Sequence, residues 1–506
     1  MEKDLFERLK NAVGCEYIKR NLVPNIKNPT PDYYCTWQTQ LYYSCNEGPV
    51  GQRRNITEEN IFGDGFGQGW ARFYEHARQD LFFVMDDSWD VPLDGDEVYY
   101  GSLVLNSEKF PDCCSGRNPA ESLKKLNYRI KEYGWKAVGG WVCAQESEKL
   151  LGNKNQEEYW IERLKWAKYS GFGYWKVDWG KHGMKSGFRK MLTELGHKYA
   201  PGLVIEHAAV PEVIKMSDVY RTYDVPAIMS IPMTVEKLES ALVHDCVQGY
   251  TGIINCEDEV YIAAALGCSM GVMRHGLTGC LPDGKPDLSF PSLHRNLKSK
   301  LTEVTRAVRW HRIAPAFAVS GSDTHISRVT LKDYWKIEDQ SAEIEGWWKY
   351  KTGDVIEKSA AASISRGMNL PKVTEDENGL IPYVVAAKNQ NGAVSVATLG
   401  RTLGREYIFP KCDVEIDVNI ENECTLGVFG LYKNLILNTT SKIGVISVLA
   451  QDLADDEAVD ISTLVTTYEN KLIIPGELLY KIGTRANPIG DTSEQGLVVQ
   501  VQNIRK

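Results

Sequence analysis

The chain has 506 residues, too many for one ordinary hydrophobic core, so two or three domains are expected. A hydrophobic share of 43% and a charged share of 25% describe a soluble globular protein and exclude a disordered or fibrous one. The net charge of -9 and pI near 5.7, with no basic run to follow phosphates, argue against nucleic acid as a partner.

The opening MEKDLFERLK is charged and amphipathic, without the apolar centre of a signal peptide, and no stretch approaches a membrane span. A cytoplasmic location and no membrane partner are the expectation. The twelve cysteines are scattered, with no CxxC pairs, and the nine histidines form no HExxH, so reduced thiols, no metal and no cofactor are expected.

From about 31 to 320, after an N-terminal extension of residues 1–30, short apolar runs alternate with amphipathic segments. Strands are predicted at 33–37, 80–87, 135–144, 174–180, 202–208, 218–225, 251–258 and 269–276. Between them lie helix signals. In NPAESLKKLNYRIKEYG, Asn118 is the cap, Pro119 the first helical residue and Glu121 the return partner of a capping box, with Gly134 at the end. EEYWIERLKWAKYSG and KSGFRKMLTELGHKYAPG read the same way, each closing on glycine. Strand–helix alternation calls for a parallel sheet with crossover helices, and eight strands in roughly 290 residues suit a (β/α)8 TIM barrel. No GxGxxG follows the first strand, which disfavours an open dinucleotide-binding sheet.

Residues 321–380 read as a connector. Beyond about 380 the period becomes two, as in CDVEIDVNI, and Asn391-Gly392 signals a hairpin. All thirteen tryptophans lie at or before Trp348. A C-terminal antiparallel β-sandwich domain over 381–506 is the reading.

Chemistry in such barrels sits at the carboxyl ends of the strands. There the predicted strands carry Asp86 and Asp87, then Lys176 and Asp178, then Glu206, then Arg221 and Asp224, then Asp258. A single aspartate after a strand is most simply a helix cap. Five of the eight predicted strands ending in carboxylates, with a lysine and an arginine among them, point instead to a functional site. Paired carboxylates in different environments are what glycoside hydrolysis requires, one ionised to attack and one protonated to donate. Lys176, on the same strand face as Asp178, would keep that aspartate charged. Trp37, Trp89, Trp141, Trp175 and Trp179 lie in or just after these strands; most such rings fill core, but some could be platforms for sugar faces.

FFVMDDSW resembles the IDDGW strand of the clan D α-galactosidases, YWKVDWG their LKxD nucleophile strand, and YRTYDV their R-x-x-x-D-I acid/base segment. The segment NSEKFPDCCSGRNPAESLKKLNYRIKEYGWKAVGGW follows their F-P pair, helix and G-x-K strand. Order and spacing agree over roughly 30 to 280, so the chain is similar to glycoside hydrolase family 27 or its relative family 36. The resemblance implies a retaining exo-glycosidase on terminal α-galactoside-like sugars of oligosaccharides or glycosides. Asp178 would be its nucleophile and Asp224 its acid/base. Asp86 and Asp87 would receive O4 and O6, Lys176 would bind O3 and O4, and Glu206 and Arg221 would lie near O2, with Trp37 and Trp141 also contacting substrate. Only two residues separate Arg221 from Asp224, where three are usual, which leaves Asp218 as an alternative acid. The family 36 CSSGGGR-type segment is missing; the first strand reads CTWQTQ in place of a GWNSW type, followed by the insert LYYSCNEGPVGQRRN. α-N-Acetylgalactosaminides and β-L-arabinopyranosides are stereochemical neighbours and stay open as substrates. From other classes, a Schiff-base lyase using Lys176 or a non-catalytic carbohydrate-binding barrel would be the rivals.

Overall fold

The computed structural model describes residues 17–18, 20–44, 48–65, 67–222, 229–244, 259–273, 297–318, 321–337, 352–440 and 442–504. Seven parallel strands among them form one sheet: β1 (Tyr33–Cys35), β2 (Phe82–Met85), β3 (Val138–Val142), β4 (Tyr174–Val177), β5 (Val204–His207), β6 (Val219–Tyr220) and β7 (Gly271–Val272). Their spatial order is β6-β5-β4-β3-β2-β1-β7, so the last strand in the chain lies beside the first, with Tyr33 opposite Gly271. The strand expected at 251–258 lies outside the described residues, as does Asp258. The remaining strands fall inside their expected stretches but are shorter. In the first, the chain turns at Thr36, and Trp37 opens the helix Trp37–Ser44.

Alternate residues of these strands enter two different apolar clusters. Tyr33, Cys35, Val84, Tyr174, Val204, Val219 and Met273 pack together on one face, with Trp37 and Phe82 against them. Tyr34, Phe83, Met85, Trp175, Val177, Ile205, Tyr220 and Val272 join the larger cluster formed with the helices. Both faces are therefore buried, as parallel strands flanked by crossover helices require. Gly139 is needed on the inner face, because a Cβ there would lie 2.7 Å from the Tyr174 Cβ and 2.9 Å from Val84.

The helix Pro119–Glu132 has the expected Asn118–Glu121 capping box, and Gln156–Ser170 has a second one, from Asn155 and Glu158. Gly171, at φ 72°, ends the latter. Ser186–Tyr199 stops before Ala200, short of the glycine at 202.

The C-terminal part is a sandwich, but not a purely antiparallel one. A nine-stranded sheet contains the parallel pairs Ser363–Arg366 with Tyr383–Lys388 and Val394–Leu399 with Glu423–Phe429. The facing five-stranded sheet pairs Asp413–Asp417 in parallel with Asn434–Asn438. Period-two patterning fixes which side chains share a face and says nothing of strand direction, which the connections decide. Val384, Val396, Leu426 and Val499 of the large sheet meet Val414, Ile416, Leu435 and Leu472 of the small one. The other face of the large sheet, with Tyr383, Val385, Ala397 and Phe429, joins the cluster that includes Tyr261 and Trp310 of the helices Val260–Leu266 and Leu297–Ile313. Thr324–Ile326 and Ser363–Arg366, from the expected connector, belong to this sheet, and Tyr17–Ile18 from the N-terminal extension pairs with Ala458 and Val459. The connector segment SAEIEGWWKYKTGD lies almost wholly outside the described residues.

Candidate active site

The alternation that fills the inner face with apolar residues continues into charge at the carboxyl ends of the strands. Two residues beyond Val84 stands Asp86, two beyond Tyr174 stands Lys176, then Asp178; Glu206 follows Val204, and Arg221 follows Val219. Register brings them together: Trp141 lies opposite Lys176, and Lys176 opposite Glu206. Of the expected residues, Asp86, Trp141, Lys176, Asp178, Glu206 and Arg221 therefore converge at one mouth.

They divide into two groups. In the inner one, Lys176 Nζ is 2.8 Å from Asp86 Oδ2, and the Cys35 thiol donates to the same oxygen at 2.9 Å. Lys176 is thus in direct contact with Asp86, and acts on Asp178 through its charge as the sequence suggested. In the outer group, the Arg221 guanidinium bridges Asp178 Oδ1 at 3.1 Å and Glu206 Oε1 at 2.9 Å. Tyr174 donates to Glu206 Oε2 at 2.6 Å, and the Trp141 indole N–H to Asp178 Oδ2 at 3.0 Å. Burial pushes the Asp178 carboxyl up, but Arg221, Lys176 and the Trp141 hydrogen bond outweigh it and hold it below the ordinary carboxylate range. For Glu206 burial wins over Arg221 and Lys176, and its carboxyl is raised. Two neighbouring carboxylates are thus pushed in opposite directions.

Asp87 has partners of its own. It accepts from Arg53 Nε at 3.3 Å and from Ser88 Oγ at 2.7 Å. Burial raises it to about 7, with Arg53 and Ser88 only partly opposing. Ser88 takes a positive φ of 73°, a cost of order 1 kcal/mol that turns the chain so that its own hydroxyl reaches Asp87. Arg53 comes from the insert, which folds as the helices Trp37–Ser44 and Gly48–Arg54. Lys109 Nζ fastens that helix end to the Asp87 turn by donating to Arg53 O and Ser88 O, at 2.9 and 2.6 Å.

The loop after β4 is held from below. Arg189 donates to Val177 O, Asp178 O and Gly183 O at 3.1, 2.9 and 2.8 Å. His207 Nδ1 accepts from Arg189 at 3.2 Å while its Nε2 lies 2.8 Å from Thr193 Oγ1; burial and then Arg189 lower its pKa well below the usual value, so the ring is neutral.

Asp224 lies outside the described residues. Asp218 does not reach the mouth: three residues before Arg221, it takes the opposite strand face, with Tyr220, and turns to the helix side, accepting from Ile205 N at 2.8 Å and lying 2.7 Å from His197 Nε2 of the helix Ser186–Tyr199. That overturns it as the alternative acid. Trp37 is half-buried against the inner cluster, and Trp89 and Trp175 are core residues. The sequence reading missed Arg53, Cys35, Tyr174, Lys109 and Arg189. Cys35 and Tyr174 were within reach, because period two puts them on the inner face; the other three belong to helices or loops without a motif. Among the described residues no group of His, Cys, Asp and Glu is arranged to hold a metal, and no helix is long and apolar enough to cross a membrane.

No family model and no curated protein matches the sequence. Among solved structures, the chain is similar to a family 27 β-L-arabinopyranosidase from Geobacillus stearothermophilus, at 11% identity over 94% of this chain and 96% of that one, with a TM-score of 0.40. A Bacillus halodurans protein, provisionally named an α-N-acetylgalactosaminidase, aligns at 10% identity over 96% of this chain and 100% of its own, with a TM-score of 0.42. A family 36 α-galactosidase from Geobacillus stearothermophilus aligns at 13% identity over 68% and 56% of the two chains, with a TM-score of 0.33.

Proposed function

We propose that this chain is a retaining exo-glycosidase acting on terminal α-galactoside-like sugars, built on a closed (β/α)8 barrel. The observation that carries the reading is Asp178: a carboxylate at the end of a central strand, kept ionised by Arg221 and the Trp141 indole, beside a second polar grip of Asp86 and Lys176. An ionised carboxylate in a recess of hydrogen-bonding groups is suited to attack an anomeric carbon.

In this reading the Asp178–anomeric carbon bond forms as the bond to the leaving oxygen breaks, and a protonated acid supplies that oxygen with its proton. Water then attacks the anomeric carbon as its bond to Asp178 breaks, giving its proton to the same acid group and freeing the carboxylate. Asp224 is assigned as that acid on the sequence resemblance. Asp86 and Lys176 bind ring hydroxyls, and Glu206 with Arg221 does so on the other side of Asp178. For retention, the carboxyl groups of Asp178 and Asp224 should lie about 5–5.5 Å apart.

A panel of nitrophenyl α- and β-glycosides, including galactoside, N-acetylgalactosaminide and β-L-arabinopyranoside, tests the reading. Turnover of the α-galactoside with retention, and a mechanism-based fluorosugar adding mass to a peptide that contains Asp178, are expected. Inversion, or labelling elsewhere, would refute the assignment of Asp178.

A further inference from the structure

Exposure rises in steps along the end of β4. The Lys176 side chain is 3% exposed, that of Asp178 14%, and Trp179 40%. Lys176 is closed off on its inner side by Asp86 and Cys35. A sugar held by Lys176 and reacting at Asp178 therefore has its departing group on the solvent side of the mouth, where Trp179 is the exposed ring.

Trp179 differs from the neighbouring tryptophans. Trp89, Trp141 and Trp175 are each 1% exposed, and their rings fill core. The Trp179 ring is instead 40% exposed while being braced by three neighbours: Tyr100 meets it at 5.0 Å in an edge contact, Trp141 at 5.2 Å, and the Arg53 guanidinium lies over it, 5.8 Å from its centre. Its backbone is fixed too. Trp179 O accepts from Ala144 N at 2.7 Å, and Gly180, at φ 144°, passes so near Ala144 that a Cβ would lie 2.7 Å from its backbone. An apolar ring kept in water costs burial free energy, and one held rigid loses little entropy when something stacks on it.

We propose, resting on the glycosidase reading above, that Trp179 is the platform for a second pyranose, the leaving sugar, whose apolar face stacks on the exposed part of the indole. The preferred substrates are then disaccharides or longer glycosides, and Trp141 couples the platform to the reaction, since the same ring that braces Trp179 donates to Asp178.

The test compares a glycosyl fluoride, whose leaving group has no ring, with a disaccharide of the same terminal sugar. The variants are Trp179→Ala, Trp179→Leu (bulk without a flat face) and Trp179→Phe, each checked for its melting temperature. In Trp179→Ala and Trp179→Leu the ratio of disaccharide to fluoride kcat/KM should fall about tenfold or more, chiefly through KM. Trp179→Phe should recover most of it. A ratio within about twofold of the parent in the folded variants, with both substrates falling together or not at all, would reduce Trp179 to a packing residue while leaving the glycosidase reading in place. A parent protein inert towards the fluoride and every disaccharide would overturn that reading and the platform with it.

Discussion

Two clusters of buried charge, one at the strand ends and one between the helix Leu297–Ile313 and the nine-stranded sheet, show that burying ions does not by itself mark a site. In the second, Arg306 and Asp452 are both 0% exposed and meet through two contacts of 2.9 Å. Arg306 also donates to Ser493 Oγ, Glu494 O and Asn487 Oδ1, while Asp452 accepts from Ala454 N and Ala486 N. Every guanidinium donor has an acceptor, and the Arg306 and Asp452 side chains are closed to solvent. At the strand ends the ions are chained to one another around Asp178, which is still part open to solvent. A closed ion network spends its electrostatic capacity within the fold; an open one keeps some for a ligand.

Asp178→Ala should separate the two most sharply. Turnover of every glycoside should fall by at least about 10⁴-fold with the melting temperature little changed, because the buried Arg221 keeps Glu206 as its counter-ion. A large loss of stability with activity retained would place Asp178 in the structural class. The converse is Arg306→Met, which leaves Asp452 buried and uncompensated. It should cost about 3–5 kcal/mol in chemical denaturation while kcat per folded molecule stays near that of the parent.

Lys176→Met tests whether the inner pair belongs to both classes. Asp86 is only 3% exposed, so removing the lysine should destabilise the fold as well as raise KM and lower kcat. Adding Asp86→Leu should restore much of the stability and none of the activity. Recovery of turnover in the double variant would show that neither residue binds substrate.

The smallest effect concerns pH. Asp87 is raised from its ordinary range to about 7, so the folded protein binds a proton that the unfolded chain has released. Its contribution to stability is complete below about pH 4 and is lost as pH rises through 7. Asp87→Asn should therefore gain about 2–3 kcal/mol relative to the parent between pH 5 and pH 8, measured by urea denaturation. A difference independent of pH would mean that Arg53 already keeps Asp87 ionised in the fold.

Much of this site could be read from the chain because strand geometry is local. Period two and a strand end suffice to put Asp86, Lys176, Asp178, Glu206 and Arg221 on one face and at one level. Asp218 obeys the same rule: three residues before Arg221, it takes the other face and meets His197 of a crossover helix. Ion pairing was beyond reach, because it depends on segments distant in the chain. Lys176 and Asp178 are two residues apart, yet the lysine turns to Asp86, 90 positions away, because that carboxylate and the Cys35 thiol close the inner side of the mouth.

By itself, the sequence determined the alternation of elements, the capped helix Pro119–Glu132 and the set of charged strand ends, all of which depend on neighbours within a turn or a pleat. Tertiary structure decided what depends on distant segments meeting. It brought Arg53 from the insert to Asp87, chose Arg221 as the direct partner of Asp178, and made the strand pairings of the sandwich partly parallel. It also left one tryptophan of the mouth open to water. Hydrophobic patterning records which face a residue takes, whereas the partner it finds there depends on the three-dimensional path of the rest of the chain.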